Sequence, residues 1–133
     1  MIDASTALQT LIRSRLSTDP GVTALVPADD IRDSNGLPVQ IPAVLIGGGQ
    51  VTYDELKLTA HADLHIWVEE VGTTGAKAIA GAIRNALRSG PWPIADHHCS
   101  VVRVTSDRFM RDPNNQYSHG VVSIEAHMVE RHP

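Results

Sequence analysis

The sequence predicts an α+β fold: a two-layer sandwich with a mainly antiparallel sheet of about four to five strands and two principal helices packed on one face. Three observations carry that prediction. Apolar residues alternate strictly with polar ones from Leu58 to Val68, and again in Val102–Thr105 and Val122–Met128. A period of two is what a half-buried strand requires, because successive side chains point to opposite faces. Two other stretches place their apolar residues at helical spacing instead. Finally, the last two strand patterns flank a turn-forming run, so they read as an antiparallel hairpin, and helices segregated to one face of an antiparallel sheet define the class.

The N-terminal helix is read from Ala4, Ala7, Leu8, Leu11, Ile12 and Leu16, which fall on one helical face. Asp3 or Ser5 can cap it, and Asp19-Pro20-Gly21 ends it. Asp19 with Pro20 at the first position can then start a short turn through Val26. Between Pro27 and Pro42 the chain is rich in Asp, Asn, Gly and Pro; Ile31-Arg32 reads as a short edge strand and the remainder as surface loop. Ala43-Val44-Leu45-Ile46 is a compact apolar run suited to a buried strand, broken by Gly47-Gly48-Gly49. No Lys-Ser/Thr pair follows these glycines, so they read as a bulge or flexible turn and not as a phosphate loop.

Leu58, Ala60, Ala62, Leu64, Ile66 and Val68 line one face of the next segment, with Thr59, His61, Asp63, His65 and Trp67 on the other. This is the central strand. Thr73-Thr74 supplies an N-cap for a second helix, whose buried face is Ala76, Ile79, Ala80, Ile83, Ala86 and Leu87. Its alanines predict a close approach to the sheet. Arg84 and Arg88 lie outside, near the negative end of the helix dipole. Ser89-Gly90-Pro91 stops the helix and Trp92-Pro93-Ile94 is expected to pack as a lid. In the closing hairpin, Val122, Ile124, Ala126 and Met128 point inward, and a polar loop over 110–120 is expected to project from the sheet.

With 133 residues the chain fits one domain over 1–133, large enough to bury a core without staples. Aromatic residues make up only 4%, so aliphatic and alanine packing must supply that core. The formal charge of −4 argues against a general nucleic-acid binder, which would carry a basic stripe. Cys99 stands alone, so there is no intrachain disulfide and a reducing cytosol suits the chain. Asp3, Arg13 and Arg15 interrupt the first apolar stretch, so a signal peptide is not expected there, and no run approaches membrane-spanning length.

Candidate chemistry is sparse. His61, Asp63 and His65 share one strand face at i, i+2 and i+4, and His97, His98 and Cys99 form a second group of metal-ligand types. Neither matches a closed zinc spacing, and solvent-facing strand positions often carry such residues for solubility. Cys99 beside two histidines is no thiol–base pair either, because adjacent strand residues face opposite ways; it reads as a small hydrophobe at a strand start. There is no glycine-flanked serine elbow and no carboxylate pair in an apolar surround. No metal, cofactor or catalytic set is therefore expected. Arg108, Arg111, Asp112, Tyr117 and His119 gather around the hairpin tip. They read either as a solvated loop or as a contact surface, since Arg and Tyr are typical interface anchors.

Four stretches taken in order resemble the tail-completion, or tail-terminator, proteins of long-tailed phages and gene transfer agents. They are Ala7–Leu16 with Val22–Val26, Ile41–Gly47, Leu64–Trp67 leading to Ala76–Ile79, and Arg111-Asp112-Pro113 with Tyr117–Gly120. Asn114-Asn115 departs from the Asp-Gly type of turn expected at the tip. The resemblance implies a small α+β structural protein of the virion, without catalysis and assembled in the host cytoplasm. It implies a homo-oligomeric ring, of six copies, at the head-proximal end of the tail tube. Its partners would be the tail tube protein and a head–tail connector or stopper protein, with DNA passing through the lumen without sequence-specific binding and no membrane involved. A head-completion or connector adaptor, and a small metal-dependent enzyme built on His61, Asp63 and His65, are the alternatives at this stage.

Overall fold

The computed structural model describes residues 1–33, 41–111 and 116–131. Its elements run α1 (Ala4–Ser17), α2 (Pro20–Thr23), a 3-10 turn (Ala28–Asp30), β1 (Ile31–Asp33), β2 (Ala43–Tyr53), β3 (Leu58–Glu69), α3 (Thr74–Ala86), β4 (His97–Arg111) and β5 (Tyr117–Glu130). The five strands form one sheet in the order β1-β2-β3-β5-β4. Every pairing is antiparallel except β1 with β2, which is parallel. The expected α+β class, strand number and two main helices are all present.

β3 is the middle strand, as its long alternation predicts. Leu58, Ala60, Leu64 and Ile66 are buried on one face, joined there by Val44 and Ile46 of β2 and by Val122, Ile124, Ala126 and Met128 of β5. Both long helices lie on this face. α1 contacts β1, β2 and β3, and α3 contacts β3, β5 and β4, so β3 is the strand they share. α1 contributes Ala4, Leu8, Leu11, Ile12 and Leu16 to the core, and α3 contributes Ala76, Ile79, Ala80 and Ile83. The small residues of α3 let its backbone approach the sheet, as its alanine content predicts. Asp3 caps α1 through the Thr6 amide, and Asp19 caps α2 through Gly21 and Val22.

Three details depart from the sequence reading. The Gly47–Gly49 run does not end β2; the strand continues to Tyr53 through a register shift between Gly47 and Gln50. Gly48 and Gly49 take φ of 79° and 132°, and a Cβ on Gly49 would stand 2.8 Å from Ser5 Oγ. The glycines thus make a bulge tucked under α1, a place where any side chain would be both strained and crowded. Second, Thr73 makes no side-chain cap to α3; the acceptor comes from Glu70 instead. Third, the described strands reach into the expected 110–120 loop from both sides. Arg111 still belongs to β4 and pairs with Ser118, while Tyr117 pairs with Glu69 at the end of β3. Strand pairing therefore continues as far as Arg111 and Ser118, with β3 supplying ladder partners for β5 up to Tyr117, and the tip expected to project lies outside the described residues. Ser34–Gln40, Asp112–Asn115 and the C-terminal pair lie outside the described residues, the Asn114-Asn115 turn among them.

Candidate functional site

Among the described residues the second face of the sheet carries no helix, and the polar half of each alternation collects on it. Cross-strand pairing sets Trp67 opposite His119, His65 opposite Val121, Asp63 opposite Ser123 and His61 opposite Glu125. At the upper end the Trp67 and His119 rings stack at 4.0 Å between centroids and 6° between planes. His119 reaches diagonally to His65, Nε2 to Nδ1 at 3.0 Å, with the rings 5.2 Å apart. One of the two imidazoles must donate and the other accept, so the pair is made with both rings neutral or with a single shared charge. Ala43 and Leu45, which pair with Trp67 and His65, are buried on this face, as is Val121. The result is a small aromatic and apolar patch at the upper end of this face.

Burial pushes the His119 imidazolium below the usual histidine range, and His65 and then Arg108 push it further the same way. The folded state therefore holds His119 neutral, and the stability this brings is complete above the ordinary histidine value of 6.5 and declines as pH falls below it. Trp67 reports the event, since a protonated imidazole stacked on indole quenches it. We expect a fluorescence decrease on acidification with a midpoint below 6.5 that disappears in His119→Ala. A midpoint unchanged in that variant would assign the signal to Trp92.

Lower on the same face the polar side chains satisfy one another. Asp63 Oδ1 accepts from Ser123 Oγ at 2.9 Å, and Glu125 Oε1 accepts from Arg103 at 3.1 Å and meets His127 Nε2 at 2.6 Å. These partners hold the Glu125 carboxyl below its ordinary range, with the His127 bond the largest cause. Among the described residues, no group of three or more His, Cys, Asp or Glu side chains converges as a metal would require. His61, Asp63 and His65 share the face foreseen for them, but Asp63 and His65 are turned to different partners. His97, His98 and Cys99 divide between faces, His97 and Cys99 buried and His98 exposed. Cys99 sits in the core, where burial raises its thiol pKa, as a small hydrophobe would be placed.

The structure also divides the residues foreseen at the hairpin tip. Arg108, Tyr117 and His119 lie on the helix-free face, opposite Val121, Glu69 and Trp67 respectively. Arg111 points to the helix side and donates to the Val71 carbonyl at 3.3 Å. Asp112 lies outside the described residues. Sequence reasoning missed the Trp67–His119–His65 stack and the role of Glu70. The one available signal for the stack was a tryptophan on the polar side of an otherwise clean alternation.

The geometry is that of an open, mostly antiparallel sheet with both long helices on one face. The comparisons name the class more closely. The profile of the family described as Tail completion protein gp17 matches residues 10–128. The chain belongs to that family and is a structural protein of the phage tail, a component of the virion. Among solved structures, a chain of the virion of a native gene transfer agent particle superposes with a TM-score of 0.81 at 19% identity, covering 97% of this chain and 99% of that one. The likeness shows a shared fold. A search of curated protein sequences finds no match.

Proposed function

We propose that the chain, acting as one domain, assembles into a closed ring of six copies at the head-proximal end of the tail tube. There it ends tube polymerisation and offers a surface to the head connector. The observation that carries this reading is the open sheet with two unlike free edges. Among the described residues β4 lies at one end with no strand on its outer side, while at the other β1 pairs with β2 at Val44–Ile46. Unlike patches meeting between successive copies make a filament or a ring according to the rotation per step, and a terminator needs the ring. Arg108, Arg111, Asp112, Tyr117 and His119 belong to the assembly surface, with Arg108 and Arg111 at the upper end of the β4 edge. A formal charge of −4 per copy suits a lumen through which DNA slides without being gripped.

Removal of the gene tests this reading. The expected result is tubes of excessive and variable length that fail to join filled heads. Tails of normal length that remain unjoined would instead make the protein an adaptor between tail and head, and normal joined particles would dismiss both roles.

A further inference from the structure

Resting on the ring reading, we infer which two surfaces of neighbouring copies meet: the Arg108–Arg111 end of β4 in one copy docks on the β2–β3 turn, Asp54–Lys57, of the next. Four observations converge on this contact.

The first is exposed apolar surface at two separate corners. Tyr53 is 72% exposed and Leu56 83% at the β2–β3 turn, while Val71 is 70% and Met110 39% exposed beside the end of β4. Side chains of this size left in water on both corners gain by covering one another. The Arg111 bond to the Val71 carbonyl joins Val71 to the end of β4 on the helix side, while Met110, opposite His119, flanks that end on the other face.

The second is charge. Arg108 and Arg111 make no ion pair among the described residues, and neither do Asp54 and Glu55. Asp107, which would oppose the basic corner, is taken up by Arg84 at 3.7 Å. Lys57 closes the other turn but leaves it net acidic, and Asp54 spends one oxygen on the Glu55 amide. Glu69 lies two strands inward from the β4 edge. Glu70, at the same corner, is engaged by Gly75, Ala76 and Ser118, so Arg108 and Arg111 on one corner face Asp54 and Glu55 on the other, as an interface that steers its own register needs.

The third is strand direction. β2 and β5 run one way and β3 and β4 the other, so β4 of one copy meets β2 of the next in antiparallel sense. Fourth, the corners are diagonal: β4 ends where β3 ends, whereas β2 ends where β3 begins. Bringing them together steps each copy along the strands. That step carries the upper part of β4 past β1 and onto Gln50–Tyr53, which has no partner strand on that side among the described residues. A repeated step of this kind is the stagger by which sheets close into barrels.

The test replaces the two guanidinium groups by amines. The Arg108→Lys/Arg111→Lys chain, mixed as equal parts of heavy and natural isotope, is treated with a carbodiimide, both concentrated in solution and in purified particles. The expected product is a mixed-isotope peptide joining an introduced amine to Asp54 or Glu55. Independently, Arg108→Glu/Arg111→Glu and Asp54→Lys/Glu55→Lys should each weaken self-association about tenfold or more, and the four changes together should restore it. Absence of the linked peptide in both settings, or no recovery in the fourfold variant, overturns the contact. Native mass measurement separates this from the ring itself. A closed assembly without the link keeps the ring and removes the contact, whereas the link within an unbounded series of sizes keeps the contact and removes the ring.

Discussion

Leu64→Ala is expected to cost about 3–4 kcal/mol of folding stability, the range for emptying a fully buried aliphatic site. Leu64 is fully buried at the centre of the helix-bearing face, paired with Ile46 on one side and Val122 on the other. Both long helices touch β3, so a void under it loosens both layers at once and leaves little room for either to collapse inward. With total stabilities of about 5–15 kcal/mol typical of such domains, a large share is removed. Thermal unfolding of the variant should fall by roughly 10 °C. His61→Ala, three residues earlier on the opposite face and partly exposed, should change stability by no more than about 0.5 kcal/mol. Equal losses from both would mean that the second face is covered as tightly as the first.

That contrast also marks what the sequence could reveal. Where one side of an element is buried and the other wet, alternation records it, and β3, β5 and both long helices were legible for that reason. β2 was legible only as far as Ile46. Beyond it the strand runs through three glycines that carry no side-chain pattern, and only the ladder with β3 shows that it continues. The cap of α3 was misread because local spacing favours Thr73, whereas the acceptor comes from Glu70 at the end of the preceding strand. Ser118, whose hydroxyl donates to Glu70, lies 48 positions away in sequence, and no single-sequence signal registers such a pair. The tip residues were named from composition, which could not tell that Arg111 turns to the helix side while Arg108 faces away.

The placement of these parts bears on assembly. The Glu70 network lies at the end of the sheet from which Val71 and Arg111 project, so it fixes the corner proposed for docking. The aromatic stack on the other face stiffens the same end, because Trp67 and His119 bridge β3 and β5 just below Glu69 and Tyr117. Charged side chains at the β4 edge discourage indiscriminate edge-to-edge pairing. Specific pairing then requires an oppositely charged counterpart.

Glu70→Ala is expected to cost about 2–3 kcal/mol, more than a simple helix cap supplies. Its carboxylate accepts from the Gly75 amide at 2.8 Å and the Ala76 amide at 3.0 Å, satisfying two orphan donors at the start of α3. The same group accepts from Ser118 Oγ at 2.5 Å, and Ser118 is fully buried in β5. Truncation therefore frays the helix and also strands a buried hydroxyl. The consequence for pH follows from the sign of the shift. Burial, the largest influence, opposes ionisation, but the Ser118, Gly75 and Ala76 donors together outweigh it and hold the carboxyl below its ordinary value of 4.5. A lowered carboxyl contributes stability that is fully present above that value and is lost as pH falls through the folded value. Acid unfolding of the wild type should therefore contain a step below pH 4.5 that Glu70→Gln lacks. Gln keeps one acceptor oxygen but turns an amide nitrogen toward donors, so it should fall between wild type and Ala at neutral pH. A double-mutant cycle with Ser118→Ala completes the argument, since removing the hydroxyl in advance should make the loss on Glu70→Ala smaller. Additive losses in that cycle would confine Glu70 to capping α3 and break the link from helix to β5.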